Sequence, residues 1–362
     1  MKPEGLREDV PLAPLTTLEV GGKARFFLEA HDESEVLAAL AWADAERIAT
    51  VVLGGGSNVL VADRGLDALV LSVRVRGMDV DGASIRVGAG ERWDAFVEHA
   101  VQAGWAGIEC LSGIPGDVGG APIQNIGAYG QEVSETILRV HAVDRRLGVR
   151  AVLEAERCRF GYRDSAFKRE DSERFVVTAV TFGLRAGGAA TVRYPELARH
   201  VADRAGPATL GSVRESVLEL RRRKSMVIDP GDENRRSAGS FFVNPVLDVE
   251  ALEGVRARVR AAAVLAGGEH MPEYVARPGF VKLSAAWLIE RAGFARGTHD
   301  GPVGLSSRHT LAIVNRGGAK AADILAFAVR VRRAVLARFG VTLTPEPVLL
   351  GFEDDDIERL TG

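Results

Sequence analysis

The apolar-rich runs "ARFFLEA" (24–30) and "DALVLSV" (67–73) and the alternating "SIRVGAG" (84–90) read as strands. The continuous apolar run "TVVLG" (50–54) reads as a buried strand leading into glycines. "DESEVLAALAWADAE" (32–46) and "ERWDAFVEHAVQAG" (91–104) mix a run of apolar residues with charged ones over three to four turns. That pattern predicts amphipathic helices, the first capped by Asp32 or Ser34 and the second ended by Gly104. The order is β-α-β-β rather than strict alternation, so the class is α+β.

Strands return at "TILRVHAVDRR" (136–146) and "RFVVTAVTFGLR" (174–185), and a long irregular stretch, 186–211, precedes a helix over 212–224. The polar, turn-rich "DPGDENRRSAG" (229–239) follows a domain boundary. Beyond it the pattern predicts helices over 284–293 and 321–340 and strands at 309–315 and 347–352. The acidic tail "EDDDIERLTG" (353–362) is expected to fray.

A chain of 362 residues suggests two or three domains. A net charge of −3 recruits neither nucleic acid nor acidic membrane, so neither is expected as a partner. Cys110 and Cys158 lack CxxC spacing, and the N-terminus has no apolar leader core, which points to a reducing, cytoplasmic setting. The seven histidines show no metal-ligand spacing, so no metal is expected. Glycine changes the picture more. There are 41, about 11% against an average near 7%, and they gather in a few loops, as where backbone approaches a ligand.

"VVLGGGSNVL" (51–60) is a strand followed by three glycines, Ser57 and Asn58. Its main-chain N–H groups suit a pyrophosphate, although the spacing is neither GxGxxG nor a P-loop. A tight turn between strands is the other reading. "SGIPGDVGGAPIQNIGAYG" (112–130) is a second such element, and two of them suit an extended dinucleotide. Arg163 in "RFGYRDSAFK" is either a surface residue or a rigid fork for a carboxylate. "RRRK" (221–224) is a solvated helix end, or it turns Lys224 toward a phosphate. Glu346, between two prolines, is either an edge-strand carboxylate or a site residue. Ser240 in "SAGSFFVNP" has no nucleophile elbow and no nearby His or Asp. It is packing, or it does chemistry other than nucleophilic attack.

"LGGGSNVL", "GIPGDVGGAPIQNIGAYG", "CRFGYRDSAFK", "AGSFFVNP" and "LTPEPVLLGF" occur in this order and together resemble the UDP-N-acetylenolpyruvoylglucosamine reductase family, from about Leu15 to Phe352. "TVRYPEL" is similar to the subtype with a tyrosine-bearing loop. The resemblance implies an FAD-binding fold of the vanillyl-alcohol-oxidase type in two subdomains, 15–80 and 81–224, the latter carrying the tyrosine loop 186–211. A separate α+β substrate-binding domain would span 225–352. It implies noncovalent FAD held by Gly54, Gly55, Gly56, Ser57, Asn58, Gly113, Ile114, Pro115, Gly116, Gly119, Gly120, Ile126, Gly127 and Ala128. NADPH is the implied reductant.

The family's catalytic positions fall on Arg163, Ser240 and Glu346, and its substrate positions on Tyr129, Tyr194, Lys224 and Asn244. A UDP-sugar enolpyruvyl ether would be reduced, and the enzyme would be a monomer. Arg163 would stabilise the enolate, Glu346, kept protonated by burial, would hydrogen-bond the carboxylate, and Ser240 would supply the proton. That role needs no triad. The alternative is a flavin oxidase of the same fold. Many oxidases attach flavin through His or Cys, and neither glycine-rich segment contains one.

Overall fold

The computed structural model describes residues 2–204, 206–265 and 267–362. Ala205, inside the stretch 186–211, therefore lies outside the described residues. The chain forms two compact units. The first comprises Met1–Val10, Ala24–Gly56 and Leu66–Ile228, and the second Pro11–Lys23, Ser57–Gly65 and Asp229–Gly362.

The two larger sheets of the first unit share one core. One sheet has the strand order Arg7–Pro11, Lys23–Ala30, Leu66–Val73, Thr50–Val52. Its last three strands are parallel, with Phe27 and Val51 both opposite Val70. Parallel strands need a crossover, and the helix Glu33–Ala45 supplies it, capped by Asp32. Trp42 of that helix meets Phe26 edge-on at 5.2 Å. The 50–52 strand is not the buried one that its apolar run suggested: it is an edge strand, and Val52 is 39% exposed.

The second sheet of this unit is antiparallel and five-stranded, in the order Val149–Glu154, Ile137–Asp144, Phe175–Gly183, Ser84–Gly88, Met78–Asp81. The helix Trp93–Gln102 packs on it through Trp93 and Phe96, which lie 6.0 and 4.9 Å from Phe182. The stretch 186–211 is less irregular than expected, because Pro195–Ala202 is a helix with proline in its first turn, where a missing N–H costs nothing. The helix that follows, Leu210–Arg223, is capped by Thr209 and Ser212.

The second unit packs its helices against short strands. Ala321–Phe339 is its longest helix, and its first two N–H groups donate to the Asp63 carboxylate at 2.8 and 3.0 Å. Gly340 ends it at φ +71°, where other residues are strained. Val249–Ala261 is a further helix, capped by Asp248, and Glu273–Arg277 pairs with Phe280–Leu283 as a hairpin. Of the strand expected over 309–315 only Ile313–Asn315 forms. The residues before it turn back, with the N–H groups of Arg308 and His309 both donating to Ser306 Oγ.

The tail expected to fray is instead the helix Asp354–Thr361. Its three leading aspartates suit the positive end of the dipole, and Leu360 is 0% exposed in the unit's core. Buried Arg332 donates to the carbonyls of Leu343 at 3.2 Å and Thr361 at 3.1 Å, so the helix end is tied as well as packed. Leu360→Ala should cost about 2–5 kcal/mol by leaving a cavity. Urea unfolding checks this; a wild-type midpoint would mean that the tail contributes nothing to the core.

Candidate active site

The two glycine-rich segments meet in the first unit. A Cβ at Gly55 would stand 2.8 Å from Gly116 Cα and 3.4 Å from Asp117 N, so the two backbones touch where no side chain fits. Gly56 and Gly116 have positive φ, +64° and +110°. The second segment is stitched to the residues before the 93–102 helix: Trp93 N donates to Gly116 O at 3.0 Å, Val118 N to Glu91 O at 2.9 Å and Gly119 N to Ala89 O at 2.9 Å. A glycine-walled, backbone-built surface of this kind fits the pyrophosphate of a dinucleotide. Of the expected cradle residues, Gly54–Gly56 and those from Gly113 to Ala128 belong to this unit, whereas Ser57 and Asn58 belong to the second.

Several residues that bear on this surface carried no motif in the sequence. Asp94 Oδ1 accepts from Gly113 N at 2.5 Å and from Arg214 at 2.6 Å, and Arg214 also reaches Oδ2 at 3.0 Å. Burial would raise Asp94, but the Arg214 hydrogen bond and then the Gly113 N–H outweigh it and hold the carboxyl below its usual range. Arg221 donates to Gly113 O at 3.3 Å and Met226 O at 2.6 Å. Its Nε is buried with no hydrogen-bond partner among the described residues, and burial lowers its pKa. A buried donor beside the cradle suits an acceptor on a bound ligand. Asp117 is buried and its pKa is raised, by burial first, against the pull of Arg74 at 3.1 Å and Arg92 at 3.5 Å. Those two arginines balance an acid that would otherwise repel a phosphate.

Arg163 adopts φ +54° in the turn between Gly161 and Asp164. Its Nη1 donates to Asn125 O at 3.4 Å and its Nη2 to Gly127 O, which fixes the guanidinium plane against the second glycine-rich segment. Buried Asn125 locks the arrangement from the other side, donating to Glu132 Oε2 and to Gly161 O at 2.9 Å each. Tyr129 meets Tyr194 edge-on at 5.6 Å. Burial pushes the Tyr129 hydroxyl up to about 12, so it remains a donor at neutral pH. Lys224 Nζ lies 5.7 Å from the Tyr129 ring centroid and 2.6 Å from Glu196. The tyrosine-bearing stretch is anchored at Thr191, whose N–H donates to Glu109 at 2.7 Å. Glu109 is 0% exposed and also accepts from Gln131 at 3.0 Å and Gly107 N at 2.7 Å.

In the second unit, residues 241–243 pair with 344–346. Glu346 N donates to Phe241 O at 2.9 Å and Val243 N to Thr344 O at 3.0 Å. This sets half-buried Ser240 and half-buried Glu346 on adjoining stretches, between the buried anchors Phe241 and Phe242 and the neighbouring prolines. Asn58 joins them: its Nδ2 donates to Glu346 O at 3.2 Å, and the strand Val59–Val61 runs parallel to Val348–Leu350. Asn244 uses Oδ1 to accept from Ala285 N at 2.9 Å at the start of the helix Ala285–Arg291. What it can offer a nucleotide is therefore its NH₂ group.

A family model for an FAD binding domain matches residues 24–150, and one for the C-terminal domain of UDP-N-acetylenolpyruvoylglucosamine reductase matches 229–350. The UDP-N-acetylenolpyruvoylglucosamine reductase of Streptomyces coelicolor is 47% identical over 346 residues, covering 95% of this chain and 90% of that one. The reductase of the same name from Thermobifida fusca is 47% identical over 350 residues, 95% and 97% of the two chains. The crystal structure of UDP-N-acetylenolpyruvylglucosamine reductase from Thermus caldophilus matches with TM-score 0.65 and 27% identity, covering 95% and 99%.

With its glycine-walled cradle and matched FAD-binding domain, the chain is an FAD-dependent oxidoreductase. Its relatives narrow the class. The chain belongs to the UDP-N-acetylenolpyruvoylglucosamine reductase family. Among the described residues no helix is long and apolar enough to cross a membrane.

Two outcomes check the cradle. Gly55→Val should purify with much less FAD, because its side chain collides with the Gly116 backbone. Flavin absorbance per mole of protein measures this, and full occupancy would place the pyrophosphate elsewhere. Asp94 has a depressed folded pKa, so its contribution to stability is complete above the unfolded value near 3.9 and is lost as pH falls through the depressed value. Asp94→Asn should therefore flatten the acid side of the stability profile. An unchanged profile in unfolding measured from neutral into acid solution would show that the pair contributes nothing.

Proposed function

We propose that the chain reduces UDP-N-acetylenolpyruvoylglucosamine to UDP-N-acetylmuramate, with NADPH as reductant, in the synthesis of peptidoglycan precursors. The observation that carries the reading is the pairing of 241–243 with 344–346 in a chain of this family, which brings Glu346, far away in sequence, opposite Phe241, the residue next to Ser240. FAD, when bound, supplies the two electrons that saturate the vinyl group, having taken them from NADPH. The residues of the chain then have three tasks. Arg163, its plane held by two loop carbonyls, meets the substrate carboxylate and stabilises the charge that develops beside it. Glu346, fixed by its backbone bond to Phe241, positions the same end of the substrate. Ser240 gives up its hydroxyl proton to the carbon that becomes basic.

That last role explains a serine without a His–Asp pair, since a proton donor to a strongly basic carbon needs no activating base. Tyr194, Lys224 and Asn244 take the nucleotide diphosphate in this reading, and Tyr129 serves where flavin and substrate meet. The enzyme acts as a cytoplasmic monomer and binds no nucleic acid.

The two halves of the reaction separate Ser240 from the rest. Flavin reduction by NADPH needs no carbon protonation, and reoxidation by the enolpyruvyl nucleotide does. In anaerobic stopped-flow, Ser240→Ala should leave the first half near normal and slow the second by about 10²- to 10⁴-fold, the range for a lost general acid. Equal slowing of both halves would make Ser240 a flavin-positioning residue. A wild-type flavin that NADPH bleaches and the enolpyruvyl nucleotide fails to restore would overturn the substrate assignment.

A further inference from the structure

Lys224 does not wait for an anion with an empty hand. Its Nζ is 2.6 Å from Glu196 Oε2, both side chains being part-buried. Glu196 lies in the first turn of the helix Pro195–Ala202, two residues after Tyr194, so the contact ties the tyrosine-bearing stretch to the end of the 210–223 helix. Tyr129 and Tyr194 stand edge-on beside the pair, and Gly130 packs against Arg193. The carboxylate and a ligand phosphate would compete for the same ammonium.

We infer that Glu196 is the internal counter-ion that the nucleotide's diphosphate displaces from Lys224, and that it thereby sets the affinity for the nucleotide. The inference rests on the proposed role of Lys224. Two features make the exchange feasible. The diphosphate carries more charge than one carboxylate, so it wins at Lys224. Once released, Glu196 still faces the positive end of its own helix and has access to water, so it is not left as a buried unpaired charge. Until then the pair keeps Lys224 in place and holds Tyr194 near Tyr129. Glu196 is thus a positioning residue whose charge opposes nucleotide binding.

The test is calorimetric titration of UDP into the FAD-loaded protein. Glu196→Gln keeps the shape and removes the charge. UDP should bind about two- to fivefold more tightly, the range of a part-exposed ion pair. Binding should also weaken more steeply with added salt, because Lys224 is then an uncompensated cation. A residue that merely braced its helix would give the opposite sign when altered. In a Lys224→Ala background the same Glu196→Gln change should have no effect. Unchanged or weaker UDP binding in Glu196→Gln, alongside weakened binding in Lys224→Ala, overturns this inference and leaves the role of Lys224 standing. Wild-type UDP affinity in Lys224→Ala overturns both.

Discussion

The contact of Gly55 with Gly116 is the constraint around which the first unit is arranged. Two main chains this close leave no room for a Cβ at Gly55, so sequence freedom there is lost. A contact between loops is also easily lost, because loops have little packing of their own. The unit answers with backbone bonds from Gly116, Val118 and Gly119 to residues 89–93. That segment leads into a helix whose Trp93 and Phe96 lie in the core and whose indole N–H donates to Leu111 O at 3.0 Å. The cradle thereby inherits the rigidity of the antiparallel sheet.

Charge completes what packing begins. Asp94 and Arg214 grip Gly113 from one side, and Asn125 ties the far end of the segment to the turn that carries Arg163. Glu109, fully buried, gathers donors from Gly107, Gln131 and Thr191 and so joins the same segment to the tyrosine-bearing stretch. Buried polar groups are costly when unpaired and rigidifying when satisfied. Here the satisfied ones brace the loops. Asp117 Oδ1 and Arg221 Nε, with no hydrogen bond among the described residues, are exceptions beside this surface.

The second unit achieves its local order by drawing in early parts of the chain. Pro11–Lys23 and Ser57–Gly65 belong to it. Asn315 holds the first by donating to Leu18 O at 2.9 Å, and Asp63 of the second caps the 321–339 helix. The strand Val59–Val61 lies beside Val348–Leu350, so Asn58 and Glu346 become neighbours. Such pairings are paid for in loop entropy before any contact returns it.

Local pattern was enough to find the helices at 33–45, 93–102 and 321–339 and most of the long strands, because their apolar residues gather in runs long enough to be read in sequence. The glycine-rich segments, Arg163, Ser240, Glu346 and the tyrosines were legible as motifs, since chemistry and backbone approach restrict residue type locally. The 249–261 helix had a readable Asp248 cap and apolar residues at 252, 255 and 259, yet its charged surface masked it. The edge position of 50–52, the packed tail around Leu360, and the partners of Asp94, Glu109, Asn125 and Glu196 had no such signal. Each depends on residues distant in sequence. Sequence by itself determined most of the longer elements and the two glycine-rich segments, because those follow from local spacing and residue type. Only the tertiary structure decided which strand lies at an edge, which charge meets which, and that Lys224 already holds a carboxylate, because these are properties of pairs that folding alone brings together.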